Sequence, residues 1–288
     1  MIRTPRCLPV SVVFSGLWTL SGCGLNMGLL SPAGPVAEAQ RLHLWIVCAL
    51  MLLVVIPIFV TIPFLLWRYR YRDGKNHAAY RPDWEASWKW EVVLWAGPLM
   101  VTAALSWFLW TYTKALDPYR ELSDRPLQVQ VVAYDWKWLF LYPDLGVASV
   151  DRLVLPAGRA VTLSLTSRTV MQSILIPELA GQIYLMNGMT TQLNLQADQP
   201  GAWTGRNTQY NGDGFHRQSF RAEALDAGAF AQWTERAASA RPLDAAAISA
   251  LEEKGTRDDL PDTFSQVPPH LFHDLVGGGV HVHHEGHE

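Results

Sequence analysis

The sequence predicts a mixed membrane protein: a two-helix transmembrane hairpin, then a β-sandwich, then a helical C-terminal segment. Three patterns carry that prediction. Two apolar segments, 42–67 and 92–112, are free of internal charge and long enough to cross a hydrocarbon core of about 30 Å. After residue 126 the apolar residues fall into a period of two, broken by turns such as PAG at 156–158 and QPG at 199–201, as half-buried strands require. Beyond Asp226 the alternation gives way to helical runs, DAGAFAQWTERAASAR and LDAAAISALEEKG.

Composition supports the membrane reading and excludes others. The chain has 288 residues with 23 basic and 26 acidic side chains, a formal charge of −3, so nothing points to nucleic acid as a partner. Its three cysteines, Cys7, Cys23 and Cys48, lie in apolar N-terminal stretches and build neither a disulfide framework nor a CxxC metal site. Of 13 tryptophans, eight fall between residues 45 and 110. Tryptophan gathers at membrane interfaces because its ring is apolar and its N–H polar.

In chain order, residues 1–22 carry Arg3 and Arg6, an apolar run and small residues, the three-part layout of an export signal. The ending Leu20-Ser21-Gly22-Cys23 resembles the bacterial lipobox, which implies a diacylated Cys23 at the new N-terminus; the competing reading is a short buried helix with a chance cysteine. Residues 23–41, with Pro32 and Pro35, read as an extended extracytoplasmic linker. The first span, 42–67, contains Pro57 and Pro63, and the second, 92–112, contains Pro98; membrane helices tolerate such interruptions. Between them, loop 68–91 holds four Arg and two Lys against Asp73, Asp83 and Glu85 up to Lys89, and so is expected in the cytoplasm. Both termini then face the periplasm, across a bacterial inner membrane.

Residues 113–225 form the expected sandwich. Its strand candidates are Leu127–Ala133, Trp138–Leu141, Asp151–Leu155, Ala160–Thr166, Ser173–Ile176, Thr191–Leu195 and Ser219–Leu225. In the helical segment, 226–275, Asp226 is the expected cap of the first helix and Pro242 separates it from the second. The tail, 276–288, is Gly- and His-rich and expected to be disordered.

The chemistry concentrates in Gly205–Phe220, GRNTQYNGDGFHRQSF, read with Gln172 in VMQSILIP. Several stretches here and elsewhere carry a resemblance: LSGC at 20–23, DWKW at 135–138, IPELAGQIYLMNGM at 176–189 and YNGDGF at 210–215. They resemble subunit II of the haem-copper terminal oxidases, and specifically that of the bacterial cytochrome o type ubiquinol oxidases, over nearly the whole chain. The resemblance implies a cupredoxin-like sandwich. In the cytochrome c oxidase branch of that family a dinuclear copper centre is held by a His on one strand and by Cys-x-Glu-x-Cys-x-x-x-His-x-x-Met on the loop. Laid on this chain, the first His falls on Gln172, the two Cys on Asn207 and Asn211, the Glu on Gln209, the second His on Phe215 and the Met on Gln218. All six are changed, and His216 stands one residue out of register. Thiolates, imidazoles and thioethers suit copper; neutral amides are poor ligands and a phenyl ring is none.

The resemblance therefore implies a subunit without copper of its own in a proton-pumping ubiquinol:oxygen oxidoreductase. Haems, copper and oxygen reduction would lie in subunit I, ubiquinol would be the substrate of the complex, and smaller membrane subunits and lipid would be further partners. It also associates an acid at the position of Glu91 with the mouth of a proton channel in subunit I; the competing reading is a solvated residue at a helix end. Trp136 and Trp138 are expected to pack against subunit I, and Met186 and Met189 to pack in a loop near it rather than ligate. The tail histidines His281, His283, His284 and His287 chelate metal or are adventitious, while His270 and His273 read as surface residues. Three rival functions stay open: a copper-bearing cytochrome c oxidase subunit II, a menaquinol oxidase subunit II, and a structural lipoprotein unconnected with respiration.

Overall fold

The computed structural model describes residues 28–70, 85, 87–255 and 260–277. The signal region 1–22 with Cys23, most of the loop between the spans and the tail histidines lie outside the described residues. Helix α1 runs from Pro35 to Arg68 and α2 from Trp88 to Ala115. At 34 residues, α1 is roughly 50 Å long at about 1.5 Å per residue, well beyond a bilayer core. Large apolar side chains, among them Phe59 at 74% and Trp95 at 72% exposure, cover the outside of both helices. Lipid or partner helices are the surroundings such surfaces need.

The expected linker 23–41 is corrected from residue 35 onward, where it is helix. Pro35 occupies the first helical turn, where its missing N–H costs nothing and its φ is already suitable. Val36 then packs against the sandwich core, and Ala37 beside it is fully buried. Gly34 makes the approach possible, since a Cβ there would lie 1.9 Å from the Gln196 carbonyl oxygen. The loop expected over 68–91 likewise ends early. Helix α2 begins at Trp88, which places Glu91 in its first turn.

The sandwich has one sheet of six strands, in the order β11-β3-β2-β1-β5-β8, and one of five, β4-β10-β9-β6-β7. The strands are β1 Leu127–Ala133, β2 Trp138–Tyr142, β3 Val147–Val150, β4 Arg152–Pro156, β5 Ala160–Ser167 and β6 Gln172–Ile176. They continue as β7 Ala180–Leu185, β8 Thr191–Gln196, β9 Gly201–Asn207, β10 Ser219–Leu225 and β11 Thr263–Phe264. Pairs β1/β5 and β4/β10 are parallel and the other ladders antiparallel. All seven expected strands are present, and a two-sheet β-sandwich is the architecture observed. Four strands were not expected. Strand β3, VASV, is buried at every residue and shows no alternation. Strands β7 and β9 open on or contain glycine, a turn signal in the sequence. Gly205 in β9 lies under the Phe220 ring, where a Cβ would meet Cζ at 2.0 Å.

Tyr142 joins the two sheets: its hydroxyl donates to the Val154 carbonyl at 3.0 Å and accepts from the Val154 amide at 2.8 Å. Edge strand β4 is thereby satisfied on its outer side. Helices α3 (Ala227–Ala238), α4 (Ala245–Glu252) and α5 (Leu271–Gly277) follow the sandwich. Asp226 caps α3 through the Ala229 amide and Asp244 caps α4 through the Ala247 amide, each at 2.8 Å. A second core lies between the outer face of the six-stranded sheet (Val132, Tyr134, Leu139, Leu141) and Leu251, Phe264 and Phe272 of the C-terminal segment. That sheet is buried on both faces.

Candidate functional site

Gln172 opens β6, Asn207 closes β9 and Gln218 immediately precedes β10, so three neighbouring strands of one sheet deliver their side chains to one buried point. Gln172 is 0%, Gln218 2% and Asn207 3% exposed. Buried amides require partners, and these find them in one another. Gln218 Nε2 donates to Gln172 Oε1 at 2.5 Å, and Gln218 Oε1 accepts from Asn207 Nδ2 at 2.9 Å and Asn211 Nδ2 at 2.7 Å. Gln172 Nε2 donates to the Tyr134 carbonyl at 3.0 Å and to the Thr169 hydroxyl at 3.3 Å. Asn207 Oδ1 accepts from the Ser173 and Gln209 backbone amides at 3.0 and 2.9 Å.

Four of the six positions singled out in the sequence therefore meet. The other two stand at the rim. Gln209 contributes its backbone amide, and Phe215 sets its ring edge-on against Tyr210, 5.7 Å between centroids. His216 is exposed and turns Nδ1 toward the Asp213 carbonyl at 3.1 Å, away from the cluster. This donor set does not fit a dinuclear copper centre. It offers no thiolate, imidazole or thioether, and its amide groups are largely committed to each other. Among the described residues no three His, Cys, Asp or Glu side chains come together elsewhere.

DWKW supports this loop from below. Trp136 adopts φ 67° and lies against Gly214, where a Cβ would fall 2.0 Å from its ring. Lys254 Nζ stands 5.2 Å from the Trp136 ring centroid. Trp138 is wholly buried in the sandwich core, 5.3 Å from the Phe220 ring. The expectation that both indoles pack against subunit I is corrected for Trp138, which no partner can reach, and Trp136 rests on its own chain. Sequence reasoning passed over the lysine between them. Lys137 is 2% exposed, and its ammonium donates to the carbonyls of Ala250 at 3.3 Å and Glu253 at 2.5 Å. Burial lowers its pKa, against the opposing pull of Asp151, Glu253 and Asp135. Nothing in a local sequence pattern links residue 137 to a helix more than a hundred residues on.

The Met-containing segment is also corrected in part: 180–185 is strand β7, with the turn only at 186–189. The Met186 carbonyl accepts from Thr166 Oγ1 at 3.3 Å, and Met189 is 55% exposed. Glu91 is exposed, its backbone amide bonded to the Ser87 carbonyl at 3.1 Å. His270 and His273 are on the surface as expected.

Comparison with known proteins gives a consistent likeness. The chain is 40% identical over 277 residues to cytochrome bo(3) ubiquinol oxidase subunit 2 of Pseudomonas putida, covering 95% of this chain and 86% of that one. It is 36% identical over 262 residues to ubiquinol oxidase subunit 2 of Acetobacter aceti, covering 89% and 83%. No family model matches the chain. Among solved structures, the periplasmic domain of subunit II of cytochrome oxidase from Bradyrhizobium japonicum aligns with TM-score 0.39 and 17% identity, over 40% of this chain and 95% of that one.

Proposed function

The chain belongs to the ubiquinol oxidase subunit 2 family, and from that premise we propose that it is the copper-free, membrane-anchoring subunit of a proton-translocating ubiquinol:oxygen oxidoreductase. The observation that carries the copper-free part is the amide cluster. Gln172, Asn207, Asn211 and Gln218 occupy the point where soft ligands would be needed and bond to one another instead. Ubiquinol is apolar and reaches an oxidase from within the bilayer, so a water-side electron relay has no task. Haems, copper and oxygen chemistry belong in this reading to subunit I. The β-domain covers and stabilises its periplasmic face, and other small membrane subunits complete the assembly.

Two further roles belong to the same proposal. Cys23 carries the lipid that holds the N-terminus at the periplasmic surface. Glu91 serves proton uptake at the cytoplasmic end of α2, where it stands in the first helical turn.

One preparation tests the core of this reading. The complex is purified through a tag on this chain, with the natural residue or with Gln218→Ala. A haem-containing partner is expected to co-purify, copper content to be the same in both, and electrons to be taken from ubiquinol but not from a reduced water-soluble cytochrome. Copper that falls with the substitution, or ready oxidation of the soluble cytochrome by the unaltered complex, overturns it. The donor comparison decides even if the variant fails to assemble. Intact mass of the same chain reads Cys23: a product retaining Met1 refutes lipidation.

A further inference from the structure

A cavity of about 350 Å³ opens where the helical hairpin meets the sandwich, between α1, the last turn of α2, the connector after it and strands β7 and β8. This is within the size range of small-molecule sites, about 300–1,000 Å³. Its level relative to a bilayer follows from the helices themselves. Trp45 on α1 and Trp110 on α2 are exposed at 57% and 63%, and Lys114 Nζ lies 4.4 Å from the Trp110 ring centroid. Tryptophan paired with a lysine anchor marks the headgroup layer. The cavity walls begin just past these rings, with Gln40 and Tyr112.

Charge of both signs enters the same walls. Arg120 and Glu121 stand side by side in the connector, with Gln182 opposite on β7. Arg120 commits Nη1 to the Ala115 carbonyl at 3.4 Å, which leaves most of its five donors for a ligand. Asp117 is already engaged, its Oδ1 accepting from the Tyr119 amide at 3.0 Å. Val36, Ala39 and Leu122 supply an apolar floor. An uncharged amphiphile has no use for an arginine and a glutamate, and a purely anionic head would meet the Glu121 carboxylate. A head with a phosphate and an N–H-bearing cation satisfies both.

We propose that this cavity is a phospholipid site selective for a zwitterionic phosphoethanolamine head, with the phosphate on Arg120, the ammonium on Glu121 and the acyl chains along the apolar faces of α1 and α2. The site rests on the hairpin lying in a bilayer and not on the choice of electron donor. Its failure would leave the oxidase reading untouched.

The test is native mass spectrometry of the detergent-purified complex, washed free of loose lipid and titrated with phosphoethanolamine and phosphoglycerol lipids of equal chain length. The phosphoethanolamine lipid is expected to bind more tightly. Arg120→Ala should weaken both by about tenfold, equivalent to about 1.4 kcal/mol, and Glu121→Gln should remove the preference between them. Both side chains are exposed, so neither change threatens the fold. Equal retention of the two lipids by the unaltered chain, binding indifferent to Arg120→Ala, or a photo-crosslinker at Gln182 that captures another subunit in place of lipid would each overturn the proposal.

Discussion

Tyr134 shows how much a single residue does at the centre of this molecule. Its carbonyl receives Gln172 and, at 3.4 Å, Gln218, while its ring lies on the opposite face of the sheet in the second core. The hydroxyl is buried without a partner among the described residues. Burial first, and Glu252 second, raise its pKa above the ordinary tyrosine value, against the smaller pull of Arg168. A raised value in the folded state means that the phenol's contribution is complete below about pH 10 and is lost as pH rises past it, because the unfolded chain ionises first. Tyr134→Phe should accordingly be neutral, or stabilising by up to about 1 kcal/mol, since it removes an unsatisfied buried group. It should also flatten the loss of stability above about pH 10, with Tyr142, raised for the same reason, responsible for what remains. Denaturant melts of the purified protein between about pH 8 and 11 measure both effects. A destabilisation above about 1 kcal/mol would show a hydrogen bond on that hydroxyl.

Among the elements, the C-terminal helices are an integral layer of the fold. Helix α4 presents its C-terminal carbonyls to the Lys137 ammonium, which combines hydrogen bonding with the favourable end of the helix dipole. Arg168 adds an ion pair to Glu252 at 3.1 Å, partly exposed and so of modest worth. Lys137→Met keeps the stem's volume and deletes the donor, leaving the Ala250 and Glu253 carbonyls without that partner. A loss of about 1–3 kcal/mol is expected. Hydrogen exchange should locate it in 243–253, with β1 and β2 unaffected; exchange unchanged in α4 would refute the role given to this lysine. The same layer explains why β3 was hard to read. With a sheet buried on both faces, the alternation that marks a half-buried strand disappears.

At the scale of the whole molecule, α1 joins two parts. Its first turns belong to the sandwich and its remainder is long and apolar enough to cross a membrane, so the two parts are joined over a packed surface as well as through the connector 116–126. That coupling places Glu91 at the far end of the hairpin from the amide cluster. Glu91→Gln should slow turnover and proton uptake of the assembled complex together, while copper content and subunit recovery stay constant. Unchanged turnover and uptake would reduce Glu91 to an acid favoured by a helix N-terminus. Apolar run length and strand period were enough to establish the hairpin and the sandwich, and a local cap signal gave Asp226, because those signals reside within a few neighbouring residues. The six positions of the candidate site were also singled out in the sequence, by resemblance to a known pattern. Only the tertiary structure decided that four of them form one closed amide cluster while Gln209 and Phe215 stand at its rim. It alone showed that Trp138 is core, that Lys137 holds a distant helix and that the expected linker is helix from Pro35. Each of those depends on which strands become neighbours, and contacts across tens to hundreds of residues leave no periodic trace in the chain.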